Sequence, residues 1–296
     1  MPSLRALARE HDVVAVLTRE PSPVGRKRVI TPTPVASAAA ELGLPVIERD
    51  RPDADTAAEI ESLQADLGVV VAYGALLKRR LLDAPTAGWI NLHFSALPQY
   101  RGAAPLQRTI IDGGTEAGLT VFQLVEAMDA GDVIAQSMSP LGADETAGAA
   151  LTRLASEGVV PVLEAVAQIA DGTAVMTPQT GAVTHAAKLT RADGLLDFGA
   201  DAVSVYARFR GVTPEPGAWV DTPDGVVKIL EMRSGSDCAS AEPGSVTLDG
   251  TRACAGTADG CLELLRVQPA GKGAMDAAAW LRGRGGSVRL TAGVDR

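Results

Sequence analysis

Leu67-Gly68-Val69-Val70-Val71-Ala72 and, some twenty residues on, Gly88-Trp89-Ile90-Asn91-Leu92-His93-Phe94 are the stretches whose reading decides the fold. In the first, three valines run without a polar interruption, the pattern of a strand buried on both faces of a parallel sheet. A short helix near 76–82 separates the two strands. Working upstream, the pattern predicts a helix over 53–64, a short strand at Leu44–Ile47, a helix at about 34–43, a strand at Val13–Leu17 and a helix at 3–10. Strands that alternate with helices predict an α/β fold, a Rossmann-like, doubly wound, mostly parallel sheet with its site at the strands' carboxyl ends. Downstream, a helix is expected from 104 to about 113, then strands near 118–124 and 132–138, then one long Ala-rich helix over about 145–171.

The pattern changes after 173. Residues 1–175 form the expected first domain, 176–200 a linker with one short extended piece, and 201–296 a second domain. That domain starts with a helix at 201–210. Short alternating runs follow at Val226–Met232, Gly244–Leu248 and Cys261–Val267, with a helix at about 275–283. Short strands at regular spacing between turn residues predict a small β barrel. The length of 296 residues agrees with two domains.

Composition narrows the function classes. A hydrophobic content of 46% suffices for two cores, and no apolar run approaches the roughly 18 residues of a membrane span. The first residues, Met1-Pro2-Ser3-Leu4-Arg5, carry charge where a signal peptide is apolar. Three cysteines, Cys238, Cys254 and Cys261, lack metal-ligand spacing, and their odd number favours a reducing cytoplasm over a disulfide scaffold. The expectation is therefore a cytoplasmic protein with no membrane partner. A net charge of −9 argues against a general nucleic-acid binder. From residue 200 onward basic and acidic residues nearly balance, so the negative charge sits in the first two-thirds. One dense basic loop, Gly25-Arg26-Lys27-Arg28, stands against that field, and Arg282, Arg284, Arg289 and Arg296 thicken the C-terminus. Either cluster reads as a solvated surface or as a local phosphate contact.

The chain carries no Gly-rich dinucleotide fingerprint, phosphate-cradling Gly-Lys-Ser/Thr loop, nucleophile elbow or zinc helix motif. With only His11, His93 and His185, a multi-histidine metal site is not expected. Asp129-Ala130-Gly131-Asp132 lacks the later ligands of a calcium loop. The informative segment runs from Trp89 to Pro105. Strand alternation puts Asn91 and His93 on one face and Ile90, Leu92 and Phe94 on the other. Two polar side chains near a strand's end either find local hydrogen bonds and shape the next loop, or form part of a site. The following Ser95–Pro98 turn and Arg101-Gly102-Ala103-Ala104 are built of small residues, which let a ligand approach the backbone.

Asn91-Leu92-His93-Phe94-Ser95-Ala96-Leu97-Pro98 followed by Tyr100-Arg101-Gly102-Ala103-Ala104-Pro105 closely resembles the signature of the folate-dependent formyltransferases. Met128-Asp129-Ala130-Gly131-Asp132 resembles that family's Asp-x-Gly turn. Further similar stretches are Thr31-Pro32-Thr33-Pro34-Val35, Val70-Val71-Ala72-Tyr73-Gly74 and Lys188-Leu189-Thr190. Leu264-Leu265-Arg266-Val267-Gln268-Pro269-Ala270-Gly271-Lys272 resembles the tRNA-formylating branch, whose C-terminal domain is an OB-like barrel that binds tRNA. The resemblance implies formyl transfer from 10-formyltetrahydrofolate to the amine of initiator methionyl-tRNA, with no metal, by a monomer. It implies that Asn91, His93 and Asp129 are catalytic. Asn91 donates to the developing oxyanion, His93 donates a ring N–H from a cationic or proton-shuttling state, and Asp129 fixes the tautomer of His93 and favours its charged form. For Asp129 the plainer alternative is a turn-forming residue, and Asp132 is the expected structural member of the pair. Folate is expected against Ala72, Tyr73, Gly74 and along Ser95, Ala96, Leu97 and Pro98. The acceptor end of tRNA is expected at Arg26, Lys27 and Arg28.

The chain departs from this family in two places. Members begin with a strand and a Gly-Thr-Pro turn ahead of the helix placed at 3–10, whereas Met1 falls inside that region. The expectation is a start further upstream, and an intact mass matching residues 1–296 would refute it. Gln99 stands where a basic residue is frequent. Formylation of an amino sugar on a nucleotide carrier shares Asn-x-His and Asp but diverges in the C-terminal domain. Glycinamide ribonucleotide formylases are single-domain. A catalytically idle folate- or RNA-binding module is the rival from another class.

Overall fold

A computed structural model describes residues 1–25, 27–234 and 242–290. In chain order the first elements are α1 (Pro2–Glu10), β1 (Val16–Thr18), β2 (Ser22–Val24), β3 (Val29–Thr31), α2 (Pro34–Glu41), β4 (Val46–Glu48), α3 (Ala54–Ser62), β5 (Gly68–Val71), α4 (Arg79–Leu82) and β6 (Trp89–His93). Then come β7 (Arg101–Gly102), α5 (Pro105–Ile111), β8 (Glu116–Gln123), β9 (Val133–Pro140), α6 (Ala147–Glu157), α7 (Val159–Ala170) and β10 (His185–Ala186). The chain forms two compact units. The first comprises Met1–Pro105, Ala117–Ser139 and Thr152–Ala186, and the second Leu106–Glu116, Pro140–Leu151 and Ala187–Arg296.

In the first unit β1 pairs parallel with β4, and β5, β6, β8 and β9 form a four-stranded sheet in that order. The β5–β6 pair is parallel, with Val70 opposite Asn91, and β6–β8 is antiparallel, with His93 opposite Thr120. The α/β order is the expected one, but the sheet stands as two pieces. Among the described residues β1 and β5 each have a strand partner on one side only. What joins the pieces is apolar burial: Ile47, Ala57, Ile60, Leu81, Leu82 and Trp89 form one core, with Leu17 and Val70 packed against it. Trp89 also donates its indole N–H to the Leu81 carbonyl at 2.7 Å, so the ring is buried with its polar atom satisfied.

Two expectations change in this unit. The single helix over 145–171 is two, α6 and α7, broken at Gly158. Pro161 explains the break, because its ring collides with the carbonyl four residues back, at Glu157, in a continuous helix. Gly158 itself lies against the side chain of Leu92, which would have to shift to admit a Cβ there. The stretch expected as a linker also differs, since its residues up to Ala186 belong to the first unit. Thr177 pairs with Val133, and β10 pairs parallel with β7.

The second unit adds a 3-10 turn (Ala192–Gly194), α8 (Ala202–Val212), β11 (Ala218–Thr222), β12 (Gly225–Ser234), β13 (Ser245–Asp249), β14 (Arg252–Gly256), β15 (Cys261–Pro269), β16 (Met275–Asp276), α9 (Ala277–Arg282) and β17 (Ser287–Arg289). Its sheet runs β11-β12-β15-β14-β13-β17, with β16 beside β15. Every ladder is antiparallel, and a bulge at Ile229–Met232 curls the longest strand pair. The inward residues alternate, as in Val227, Ile229 and Met232, and close over Trp280 and Leu281 of α9. This is the OB-like arrangement expected of the C-terminal region. Cys254 is buried in β14 and Cys261 half-buried at the start of β15, while Cys238 falls outside the described residues.

Candidate active site

The site is built around the carboxyl end of β6. Ile90 and Leu92 are fully buried on one face, and the alternation leaves Asn91 half-buried and His93 on the other. His93 is only 5% exposed, and its ring meets Phe122 of β8 edge to face at 6.2 Å. The Nε2 atom lies 2.9 Å from the carbonyl of Tyr100, a geometry that requires Nε2–H to donate. In the neutral ring the lone pair is therefore on Nδ1. This nitrogen faces the Oδ2 atom of Asp129 at 3.9 Å.

The expected role of Asp129 is corrected on one point. A separation of 3.9 Å is too long for a hydrogen bond, so Asp129 does not set the tautomer; the Tyr100 carbonyl does. The carboxylate acts through its charge. Burial is the largest influence on His93 and lowers its pKa below the ordinary imidazole value, while the Asp129 charge and the Tyr100 carbonyl oppose it. Burial therefore favours the neutral imidazole, and its Nδ1 faces the Asp129 carboxylate.

The backbone that holds this arrangement is unusual. Tyr100 and Asp129 both have positive φ, 57° and 49°. Gly102, at φ 130°, donates its N–H to Asp129 Oδ2 at 2.7 Å, and a Cβ there would lie 2.6 Å from the Ala186 carbonyl oxygen. Only glycine fits that close approach. Asp132, expected as the structural member of the turn, contributes its carbonyl, which accepts from Gln123 N–H at 2.9 Å.

The expected folate segments flank the same end of the sheet. Because Val71 is opposite Leu92, the residues Ala72, Tyr73 and Gly74 leave β5 level with His93 and Ser95. Ala72 and Gly74 are exposed with positive φ, and Tyr73 is tied down by its hydroxyl, which donates to the Arg49 carbonyl at 2.7 Å. The Ser95–Pro98 turn is fixed by a buried hydroxyl that pattern reading missed. Thr120 donates to Ser95 O at 2.6 Å and accepts from Leu97 N at 3.3 Å and from Gln136 Nε2 at 2.9 Å. Gln136 also donates to Leu97 O, and Ser95 Oγ to Gln99 O. The available signal was a threonine in the otherwise apolar run Leu119–Phe122.

The basic residues lie elsewhere in this unit. The expected loop is a hairpin, β2 with β3, in which Ser22 pairs with Thr31. Lys27 and Arg28 are exposed at its turn, beside exposed Val24, Val29 and Ile30, and Arg26 falls outside the described residues. Among the described residues no group of three His, Cys, Asp or Glu is placed to hold a metal, and no helix is long and apolar enough to cross a membrane.

Two family models match the chain. Residues 3–166 match the formyl transferase family and residues 188–285 its C-terminal domain. A methionyl-tRNA formyltransferase of Leifsonia xyli subsp. xyli is 50% identical over 291 residues, covering 98% of this chain and 96% of that protein. The protein of the same description from Clavibacter sepedonicus is 48% identical, covering 96% and 93%. Among solved structures, an N-formyltransferase from Helicobacter canadensis, in complex with folinic acid and dTDP-3-aminofucose, superposes with a TM-score of 0.66 at 16% identity. That match covers 88% of this chain and 93% of that one, and establishes likeness of fold.

Proposed function

The chain belongs to the formyl transferase family, and from that premise we propose that it moves the formyl group of 10-formyltetrahydrofolate to the free amine of methionyl-tRNA, yielding formylmethionyl-tRNA for translation initiation. The observation that carries the reading is that Nδ1 of buried His93 faces the Asp129 carboxylate across 3.9 Å while Nε2 lies 2.9 Å from the Tyr100 carbonyl. The amine nitrogen attacks the formyl carbon while the carbonyl electrons move to oxygen. Asn91, whose side chain makes no hydrogen bond among the described residues, donates its amide N–H to that oxyanion. Nδ1 takes a proton from the attacking nitrogen, becomes a donor in turn, and is stabilised as a cation by Asp129. Collapse of the adduct breaks the bond to N10 of the folate, which leaves with a proton.

In this reading Ala72–Gly74 and Ser95–Pro98 border the folate, and Arg26, Lys27 and Arg28 meet the acceptor end of the tRNA. The protein acts in the cytoplasm and as a monomer. A second reading is suggested by the Helicobacter canadensis neighbour, whose structure holds an amino sugar nucleotide. The full-length relatives and the OB-like unit favour tRNA over it.

An assay with 10-formyltetrahydrofolate and each acceptor separates the two. Formylated product is expected with methionyl-tRNA and not with uncharged tRNA or a dTDP-amino sugar. Product with the amino sugar alone would overturn the proposal.

A further inference from the structure

Gln179 lies in the stretch after α7 that reads as a linker, yet its amide sits at the centre of the candidate site's scaffold. Nε2 donates to the carbonyls of Asp129 at 2.9 Å and Gly131 at 2.8 Å. Oε1 accepts from Arg101 Nε at 3.1 Å and Nη2 at 2.6 Å. Both donor hydrogens and the acceptor are thus used within one side chain. The two carbonyls flank the turn that carries Asp129, and Arg101 lies between Tyr100, which accepts from His93, and Gly102, which donates to the Asp129 carboxylate.

The segment around Gln179 is itself pinned at both ends. Thr177 and Val133 exchange hydrogen bonds of 2.8 and 2.9 Å. Thr184 Oγ1 accepts from Tyr100 N at 2.8 Å, and Thr184 O from Arg101 N at 2.9 Å. Asp129 adopts φ 49°, a left-handed conformation that Asp tolerates better than most residues and that local hydrogen bonds hold in place. Its carboxylate is held by Gly102 and its carbonyl by Gln179.

We infer that Gln179 is a positioning residue for the transfer: it locks the left-handed Asp129 turn to the Arg101 loop, and so sets the distance between the carboxylate and His93. The inference rests on the proposed roles of His93 and Asp129. Gln179 touches neither reactant in this account. Its whole effect passes through Asp129.

The test is a kinetic cycle with 10-formyltetrahydrofolate and methionyl-tRNA on the full chain, comparing wild type, Gln179→Leu, Gln179→Glu, Asp129→Asn and the double variant Gln179→Leu/Asp129→Asn. Gln179→Leu is expected to lower kcat by about ten- to a hundredfold, the loss that follows misplacement of a catalytic group by about 1 Å, with both KM values within about twofold. Gln179→Glu keeps the acceptor for Arg101 and loses both donors, so it should lose as much; being isosteric, it carries the test if the leucine variant fails to fold. On the Asp129→Asn background the leucine substitution should cost less than about twofold, the non-additivity of groups acting as a unit. Equal losses in both backgrounds, or wild-type kcat in Gln179→Glu, would overturn the inference. An inactive Asp129→Asn beside a fully active Gln179→Leu sinks the inference alone. A fully active Asp129→Asn sinks the reading beneath it.

Discussion

Replacing Asp129 with Ala lowers turnover by about two to three orders of magnitude, the loss seen when a group that stabilises transition-state charge is removed. The size follows from the geometry. Once Nδ1 has accepted the amine proton, a cation and a carboxylate face each other at 3.9 Å, with His93 and Asp129 side chains 5% and 14% exposed. At the effective dielectric of about 20 suited to such sites, their attraction is about 4 kcal/mol. A loss of two to three orders in rate corresponds to about 3–4 kcal/mol, so the charge alone accounts for the expected effect. Asp129→Asn refines the result, because an amide oxygen still accepts from Gly102 N–H and only the charge is lost. Single-turnover formylation at saturating substrate is the measurement. A drop smaller than about tenfold in both variants would mean that Asp129 serves the turn and not the chemistry.

The second large effect is expected at Gly118, in β8. A Cβ there would overlap backbone atoms of Ser95 and Ala96, and no side-chain rotation relieves a clash with backbone. Either β8 moves or the Ser95–Pro98 turn does. Both displace Thr120, two residues along, whose hydroxyl makes three of the hydrogen bonds that shape that turn. Gly118→Ala should destabilise the protein by about 1–3 kcal/mol and raise the KM for 10-formyltetrahydrofolate by about tenfold. Gly273→Ala is the control, because nothing lies within 4 Å of its would-be Cβ. Urea melts of both variants and a folate titration check the prediction. Equal midpoints for the two variants would refute the packing argument.

The valine run at 69–71 and the alternation through Trp89–Phe94 were enough to place β5 and β6, because a buried strand and a two-sided strand differ in the period of their side chains. Asn91, His93 and Asp129 were singled out only by the resemblance of Asn91–Pro98 and Met128–Asp132 to the formyltransferase signature, since strand period alone leaves a polar pair on one face of β6 undecided. The partners that orient them were not legible. The carbonyl of Tyr100 has no side-chain signature, and its role depends on a positive φ that Tyr rarely adopts. Gln179 is separated from Asp129 by fifty residues and sits among Pro, Thr and Gly that read as linker. Its function lies in a tertiary contact, which local pattern cannot report. The division of one expected helix into α6 and α7 was legible in principle, since Pro161 was in plain view, but the apolar period carried through it.

The account depends on His93 being a neutral imidazole whose Nδ1 is free to take a proton. Nitrogen-15 NMR of the His93 ring across pH tests this most directly, in wild type and in Asp129→Asn. The prediction is an Nε2–H tautomer at neutral pH and a midpoint below the ordinary imidazole value of about 6.5, because burial disfavours the cation. In Asp129→Asn the midpoint should fall further, since the carboxylate that favours the cation is gone. An Nδ1–H tautomer, or a midpoint at or above 6.5 that Asp129→Asn leaves in place, would contradict it.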